Sequence, residues 1–293
     1  MGAIILATGS SCAPEIASAL THATAASRAC LETAGLGPDE IDLLIHVGIY
    51  RDDNLTEPGI AALIQRELGI SLDYVAHPKA AFSFDLMNGA CGFLNAVQVA
   101  SAFLALGETR KVLIVSSDAH PSKRVAHGFP IRALGAAVLL GHDDHPGRGF
   151  GPVTTYDAAR DSAGSEGYLA IGDSGHRGRE CLTLRRDPDY EERVLDLLVT
   201  SIRGHAASHQ IDLSQTLFVT SRISLGFADR LATALGVAAR SVVTAPGHGE
   251  PHSSALALGY HRALAERRLG DHVEVLFAVA GAGLTSACAV YRC

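Results

Sequence analysis

The stretch Phe82-Ser-Phe-Asp-Leu-Met-Asn88-Gly89-Ala90-Cys91-Gly92 puts a thiol where it could act as a nucleophile. Phe82 to Leu86 is an apolar run that reads as a buried strand, and Asn88-Gly89 is a sharp turn signal. After Cys91 comes a helical pattern with Leu94, Val97, Ala100, Ser101 and Leu104 on one side. The order strand, tight turn, cysteine, helix sets the sulfur at a helix N-terminus, where unpaired N–H groups and the helix dipole favour the thiolate. Gly89, Ala90 and Gly92 leave room for a substrate carbonyl beside Cys91 and for backbone N–H groups to reach its oxygen. A buried cysteine is more often a packing residue, so the local sequence leaves both readings open. A second polar concentration is His248-Gly-Glu250-Pro-His252. Its three polar side chains alternate like metal ligands on a strand, but Gly249 and Pro251 point to a turn and no fourth ligand is evident, so no metal is assigned.

Positioning such groups needs a substantial scaffold, and the composition supplies one. The chain has 293 residues, 47% hydrophobic and 19% charged, with a formal charge of −7. A large core is expected and disorder is not. The acidic balance excludes nucleic acid as the main partner, because nothing supplies a basic footprint. The first apolar run is too short and lacks a basic flank for a signal peptide. No stretch approaches the roughly 20 apolar residues of a membrane span, so a soluble, cytoplasmic protein is expected. Cysteines 12, 30, 91, 181, 288 and 293 show no paired spacing, which argues against a disulfide framework or a zinc ribbon. His142-Asp-Asp-His145 reads as a solvated turn, and Lys123-Arg124 and Arg177 with Arg179 as surface loop charges.

Strands are expected at 3–8, 41–47, 82–86, 111–117 and 136–140, with helices over 15–34, from Glu57-Pro58 to Leu68-Gly69, and after Cys91. From about 146 to 187 the chain loses its periodicity and reads as a long connection between halves. The pattern then repeats: a helix at 188–209, a strand at 216–220, a helix closing at Leu235-Gly236, a strand at 240–244, a Gly-rich turn at 247–249, a helix at 252–268 and a strand at 273–279. Leu68-Gly69 recurs as Leu235-Gly236, and Leu106-Gly107 as Leu269-Gly270, about 165 residues on in each case. The expected architecture is α/β, a duplicated αβαβα layered fold with two pseudo-equivalent halves, 1–150 carrying the cysteine and 151–293 the His/Glu segment and a final glycine turn.

Two duplicated α/β halves with a cysteine opening the central helix of the first resemble the thiolase superfamily, and most closely β-ketoacyl-acyl carrier protein synthase III and its acyltransferase relatives. The resemblance covers most of the chain. It is carried by ETAGLGPDEIDLLI (32–45), FDLMNGACGFLNAVQVASAFLALGETRKVLIVSSD (84–118), the LGV helix end (235–237), GHGEPHSSALAL (247–258) and GDHVEVLFAVAGAGLTSACAVY (270–291). It implies ping-pong acyl transfer: Cys91 attacks a thioester and forms an acyl-enzyme. The Cys91 N–H and a second donor in the Gly281-Ala282-Gly283-Leu-Thr285 turn, matched to Ala282, would hold the oxyanion. It also implies no cofactor beyond the acyl thioester itself, carried on a carrier-protein phosphopantetheine or on coenzyme A. It implies a dimer through the strand around residues 80–85, as homodimer or as heterodimer with a related chain.

The chain departs from that family in three places. Where the family has the histidine of an HQAN-like motif this chain has Ser221, and where it has the asparagine of a GNTS-like motif this chain has Glu250. Those two groups help malonyl decarboxylation, so a decarboxylative β-ketoacyl synthase is the lesser expectation. His248, Glu250 and His252 instead head the helix that faces Cys91 in the duplicated half. His252 is expected to take the thiol proton and then deprotonate an acceptor hydroxyl or amine, with Glu250 orienting it. The plainer reading makes both histidines turn and cap residues. About 35 residues of the family's front segment, including a tryptophan and an arginine that sandwich adenine, have no counterpart, and the chain has no tryptophan. An acyl carrier protein is therefore expected as donor rather than free coenzyme A, met by a basic rim drawn from Arg222, Arg230, Arg267 and Arg268. The expected function is acyl transfer through Cys91 to a small-molecule acceptor in specialised lipid or polyketide metabolism. The rivals are a catalytically degenerate subunit paired with an active homologue, and a thioesterase.

Overall fold

The computed structural model describes residues 2–73, 75, 80–122, 127–145, 147–158, 164–169, 172, 182–270, 272 and 274–293. Cys181, Lys123, Arg124, Arg177 and Arg179 lie outside these residues.

The first sheet has the order β1(Gly2–Ser11), β5(Leu134–Asp143), β4(Val112–Asp118), β2(Leu43–His46), β3(Phe82–Asp85). The second runs β11(Val242–Val243), β10(Thr216–Thr220), β12(Glu274–Gly281), β13(Thr285–Arg292), β6(Gly149–Phe150), with β7(Thr154–Asp157) also on β13. The two orders correspond strand for strand: β2, β3 and β4 are mutually parallel and β5 returns antiparallel, as β10, β11 and β12 are parallel and β13 returns. Six α-helices among the described residues accompany them: α1(Ala19–Ala34), α2(Ile60–Leu68), α3(Gly92–Ala105), α4(Tyr190–His209), α5(Phe227–Leu235) and α6(Ala255–Ala265).

Side-chain alternation along the strands sorts these elements into layers. Leu43, Ile45, Val112 and Ile114 face one way, with Leu217, Val219, Val275 and Phe277 of the second sheet, and bury α3 and α6 between the sheets. The alternate residues Leu44, Leu113 and Val115 face outward onto α1 and α2. Phe218, Leu276 and Ala278 do the same onto α4 and α5. The result is the expected αβαβα arrangement, with the helix that follows Cys91 packed between the sheets. Its first turns are buried through Phe93, Leu94, Ala96 and Val97, and Gln98, Ala102 and Ala105 are exposed.

The helix ends follow local chemistry. Ser18 caps α1 by accepting from Thr21 N–H, three residues inside the expected start at 15, and the Asp52 carboxylate accepts from Ala19 and Leu20 N–H. Gly69 and Gly236 close α2 and α5 in the left-handed conformation, with φ of 77° and 75°. The segment 146–187 is not a structureless connection. Its described residues hold β6, β7 and a two-stranded hairpin of β8(Ser165–Tyr168) and β9(Thr183–Arg186). Strands of two to four residues are too short to leave a readable period. Among the described residues β3 pairs only with β2 and forms an edge of the first sheet, with Phe82 exposed. No helix among the described residues is long and apolar enough to cross a membrane.

Candidate active site

Two short 3-10 turns meet at the centre of the molecule, each leading into a buried helix. Gly89–Cys91 leads into α3, and His252–Ser254 leads into α6. Both begin with a left-handed residue, Gly89 at φ 50° and His252 at φ 43°. The glycine turn approaches from β12. A Cβ on Gly281 would come within 3.0 Å of Ala90 Cβ, so only glycine lets β12 pass this close to the cysteine turn.

Cys91 is buried at 2% exposure. Its Sγ lies 3.6 Å from Thr285 O, as donor, and 4.0 Å from Thr285 Oγ1, and no imidazole or carboxylate bonds it among the described residues. Burial pushes the thiol up to about 11, and the Thr285 hydrogen bond offsets only part of that. The expected resting thiolate is therefore overturned by desolvation. The Cys91 N–H, expected to face an oxyanion, donates to Asn88 O at 3.0 Å inside the turn.

His252 is held by a carboxylate that the sequence reading missed. Its Nδ1 lies 3.0 Å from Asp118 Oδ2, at the carboxyl end of β4. Asp118 is fully buried and accepts from five donors: Ile49 N, Tyr50 N, Ser253 N, Ser253 Oγ and His252 Nδ1. Burial opposes its charge, but His252 and these hydrogen bonds outweigh it and keep its pKa below the usual carboxylate range. A carboxylate only accepts, so the proton sits on Nδ1 and Nε2 is left as the basic nitrogen. That nitrogen stands over Gly89: a Cβ built there would lie 3.6 Å from it. Burial disfavours the imidazolium, yet Asp118 outweighs it and raises the His252 pKa above its ordinary 6.5. The Tyr50 ring lies against the imidazole with centroids 5.1 Å apart.

The remaining expected residues are placed as follows. Glu250 does not orient His252. Its Oε2 pairs with Arg186 Nη2 at 2.5 Å, tying the end of β9 to this turn. The reason is local: Glu250 N–H donates to Pro130 O and its carbonyl accepts from Arg132 N–H, and the side chain extends to Arg186. His248 is exposed between Gly247 and Gly249, both left-handed, and takes no part in the site. Ser221 is buried at the end of β10, and its Oγ has no partner. Ala282 lines a cavity with His252, and Gly283 follows it at φ 77°. Of the four rim arginines, Arg230 is paired with Glu191 and Glu192 and Arg268 with Glu266, while Arg222 donates to Gly249 O and Arg267 is exposed. No cluster of metal-ligating side chains occurs among the described residues.

Cavities open on both sides of the cysteine turn, and Asn88 borders both. One of about 390 Å³ contains Cys91 with Asn95, Thr155 and Thr285. The other, of about 490 Å³, contains His252 with Gly89, Ala282, Tyr50, Ile49 and the hairpin residues Tyr168, Leu169 and Leu182. A further cavity of about 520 Å³ lies at the start of α1, far in function from this chemistry, and its Asp52 is spent on the helix cap.

No family model matches the sequence. A β-ketoacyl-[acyl-carrier-protein] synthase III of Anaplasma marginale is 28% identical over 276 residues, covering 90% of this chain and 80% of that protein. Over most of its length the chain is thus similar to β-ketoacyl-[acyl-carrier-protein] synthase III. The fold agrees. The 3-oxoacyl-(acyl carrier protein) synthase III of Pseudomonas aeruginosa superposes with a TM-score of 0.82 at 18% identity, covering 100% of this chain and 98% of that one. The priming β-ketosynthase from the R1128 polyketide biosynthetic pathway gives 0.79 at 22% identity, covering 99% and 96%. In this chain Ser221 offers a hydroxyl, Glu250 an ion-paired carboxylate, and His252 an imidazole held on a buried aspartate.

Proposed function

We propose that this chain is an acyltransferase that takes an acyl group from a thioester onto Cys91 and passes it to an acceptor hydroxyl, amine or second thioester, in specialised lipid or polyketide metabolism. The observation that carries this reading is the meeting of the two turns: a cysteine opening one buried helix, and an aspartate-bound histidine opening its counterpart, with cavities on either side. The donor is an acyl-carrier-protein thioester, in keeping with the names of the similar synthases, and coenzyme A is the alternative carrier.

In the first half-reaction neutral His252 takes the Cys91 thiol proton on Nε2, the nitrogen not held by Asp118, as the sulfur bonds to the thioester carbonyl carbon. The carbon–sulfur bond to the carrier then breaks, and the departing thiolate takes that proton from the imidazolium, which leaves His252 neutral. In the second half, neutral His252 takes the acceptor proton as the acceptor attacks, and the Cys91 thioester bond breaks. Malonyl extension is not part of this reading. The Glu250 carboxylate cannot donate to a thioester carbonyl, and its charge is committed to Arg186. The exposed edge at β3 suits pairing with a second copy or a related chain.

One observation favours a second reading. The thiol bonds Thr285 and its N–H is used within the turn, as in a subunit that no longer reacts and instead pairs with an active homologue. Intact-protein mass spectrometry after incubation with acyl-carrier thioesters separates the two. An acyl adduct lost in Cys91→Ala is expected. No adduct, with a copurifying related chain whose activity survives Cys91→Ala, would establish the second reading instead.

A further inference from the structure

We propose that the acyl group carried by Cys91 is a short hydroxyacyl group rather than an alkyl chain. This rests on the acyl-enzyme reading above and adds the substrate class. Cys91 lines the cavity of about 390 Å³, and Asn88 of the same turn joins it to the cavity that holds His252. Whatever is bonded to its sulfur therefore extends among the side chains of the cavity that Cys91 lines. Those are the amides of Asn88 and Asn95, the hydroxyls of Thr155 and Thr285, and the Asp157 carboxylate, while the Ser286 hydroxyl is bonded to Ser201. Among the described residues the one ring present, Tyr156, turns its hydroxyl toward Gly204, where a Cβ would lie 3.4 Å from it, and no Leu, Ile, Val, Met or Phe lines the cavity. The aliphatic side chains Ile49, Leu169 and Leu182 lie in the other one.

Two asparagines pair in this cavity, Asn88 Nδ2 donating to Asn95 Oδ1 at 2.7 Å. That leaves the Asn88 carbonyl oxygen and the Asn95 amide hydrogens for an occupant. An alkyl chain entering here strips water from amides and hydroxyls and returns no hydrogen bond. A hydroxyl replaces the water it displaces. Sites built to hydrogen-bond a substrate hydroxyl reject the analogue lacking it far more strongly than apolar pockets sort chain lengths. The volume lies near the lower end for small-molecule pockets and suits a short group.

The test is the rate of Cys91 acylation from pantetheine thioesters, followed by intact-protein mass. Three are compared: 3-hydroxybutyryl, butyryl and octanoyl. The first is expected to load at least about tenfold faster than the other two. Asn95→Leu should erase that preference, and Thr155→Val, on the exposed face of β7, should narrow it without disturbing the fold. Butyryl or octanoyl loading as fast as 3-hydroxybutyryl would overturn the inference while leaving the acyl-enzyme intact. A preference unchanged in both variants would also overturn it, since the cavity would not be its source. No adduct from any thioester would remove the acyl-enzyme reading and this inference together.

Discussion

The turns Gly89–Cys91 and His252–Ser254 occupy matching places in the two halves, and they differ in every side chain. In the first, the left-handed position is glycine, which adopts it freely. In the second it is His252, which a β-carbon disfavours there. The second position is Ala90 in one turn and Ser253 in the other, whose hydroxyl bonds Asp118. The third is Cys91, bonded to Thr285, against Ser254, whose Oγ has no partner. One scaffold thus presents a thiol from one half and an imidazole from the other, the proposed nucleophile and base. The left-handed backbone that glycine adopts freely in the first half is held in the second beside a buried carboxylate.

Substitutions that remove one side of this contrast should act in a graded order. Cys91→Ala should abolish both the acyl adduct and turnover, read by mass spectrometry and product assay. His252→Gln should leave adduct formation detectable and slow its discharge to acceptor by about 10²- to 10⁴-fold. Asp118→Asn should slow discharge on the order of 10²-fold and also shift its pH dependence. The sign follows from the folded-state pKa. Asp118 raises that of His252, so the basic form appears as pH rises through a midpoint above 6.5, and discharge speeds up over that range. Without the charge on residue 118 the midpoint should fall. A midpoint that stays put would detach the aspartate from the base.

Glu250→Gln sharpens the same point from the other carboxylate. It should cost about 1–3 kcal/mol of stability by leaving Arg186 without its counter-charge. It should lower the midpoint of discharge by less than Asp118→Asn does, because Asp118 raises the His252 pKa more than Glu250 does. Ser254→Ala should have the smallest effect. Removing an unpartnered buried hydroxyl is expected to be neutral or to stabilise by up to about 1 kcal/mol in denaturant unfolding. The residue in the same place in the other half, Cys91, should be the least replaceable in the chain.

The layered fold and the cysteine turn were legible because they rest on long periodic segments and a turn signal in one continuous stretch. The partner of His252 was not. Asp118 is 134 residues away and meets it only because β4 ends beside the second turn. Its one sequence signal is a carboxylate closing the apolar strand Val112–Asp118. Glu250 was assigned to His252 because it is two residues away, but proximity along a turn does not set side-chain direction. The partner it takes, Arg186, comes from the segment whose strands were too short to read. His248 was drawn in by the same reasoning and turns out to solvent between two left-handed glycines. The thiolate expected from helix position was reversed by burial, a quantity that no local pattern reports.

The most direct test is the decay of a preformed Cys91 acyl-enzyme after acceptor is added, measured across pH in wild type and His252→Gln. The structure predicts decay in wild type that accelerates through a midpoint above 6.5 and levels off, and decay in His252→Gln that is slow and nearly flat over that range. Equal rates and equal pH profiles in the two proteins would contradict the pairing of these two turns as one catalytic site.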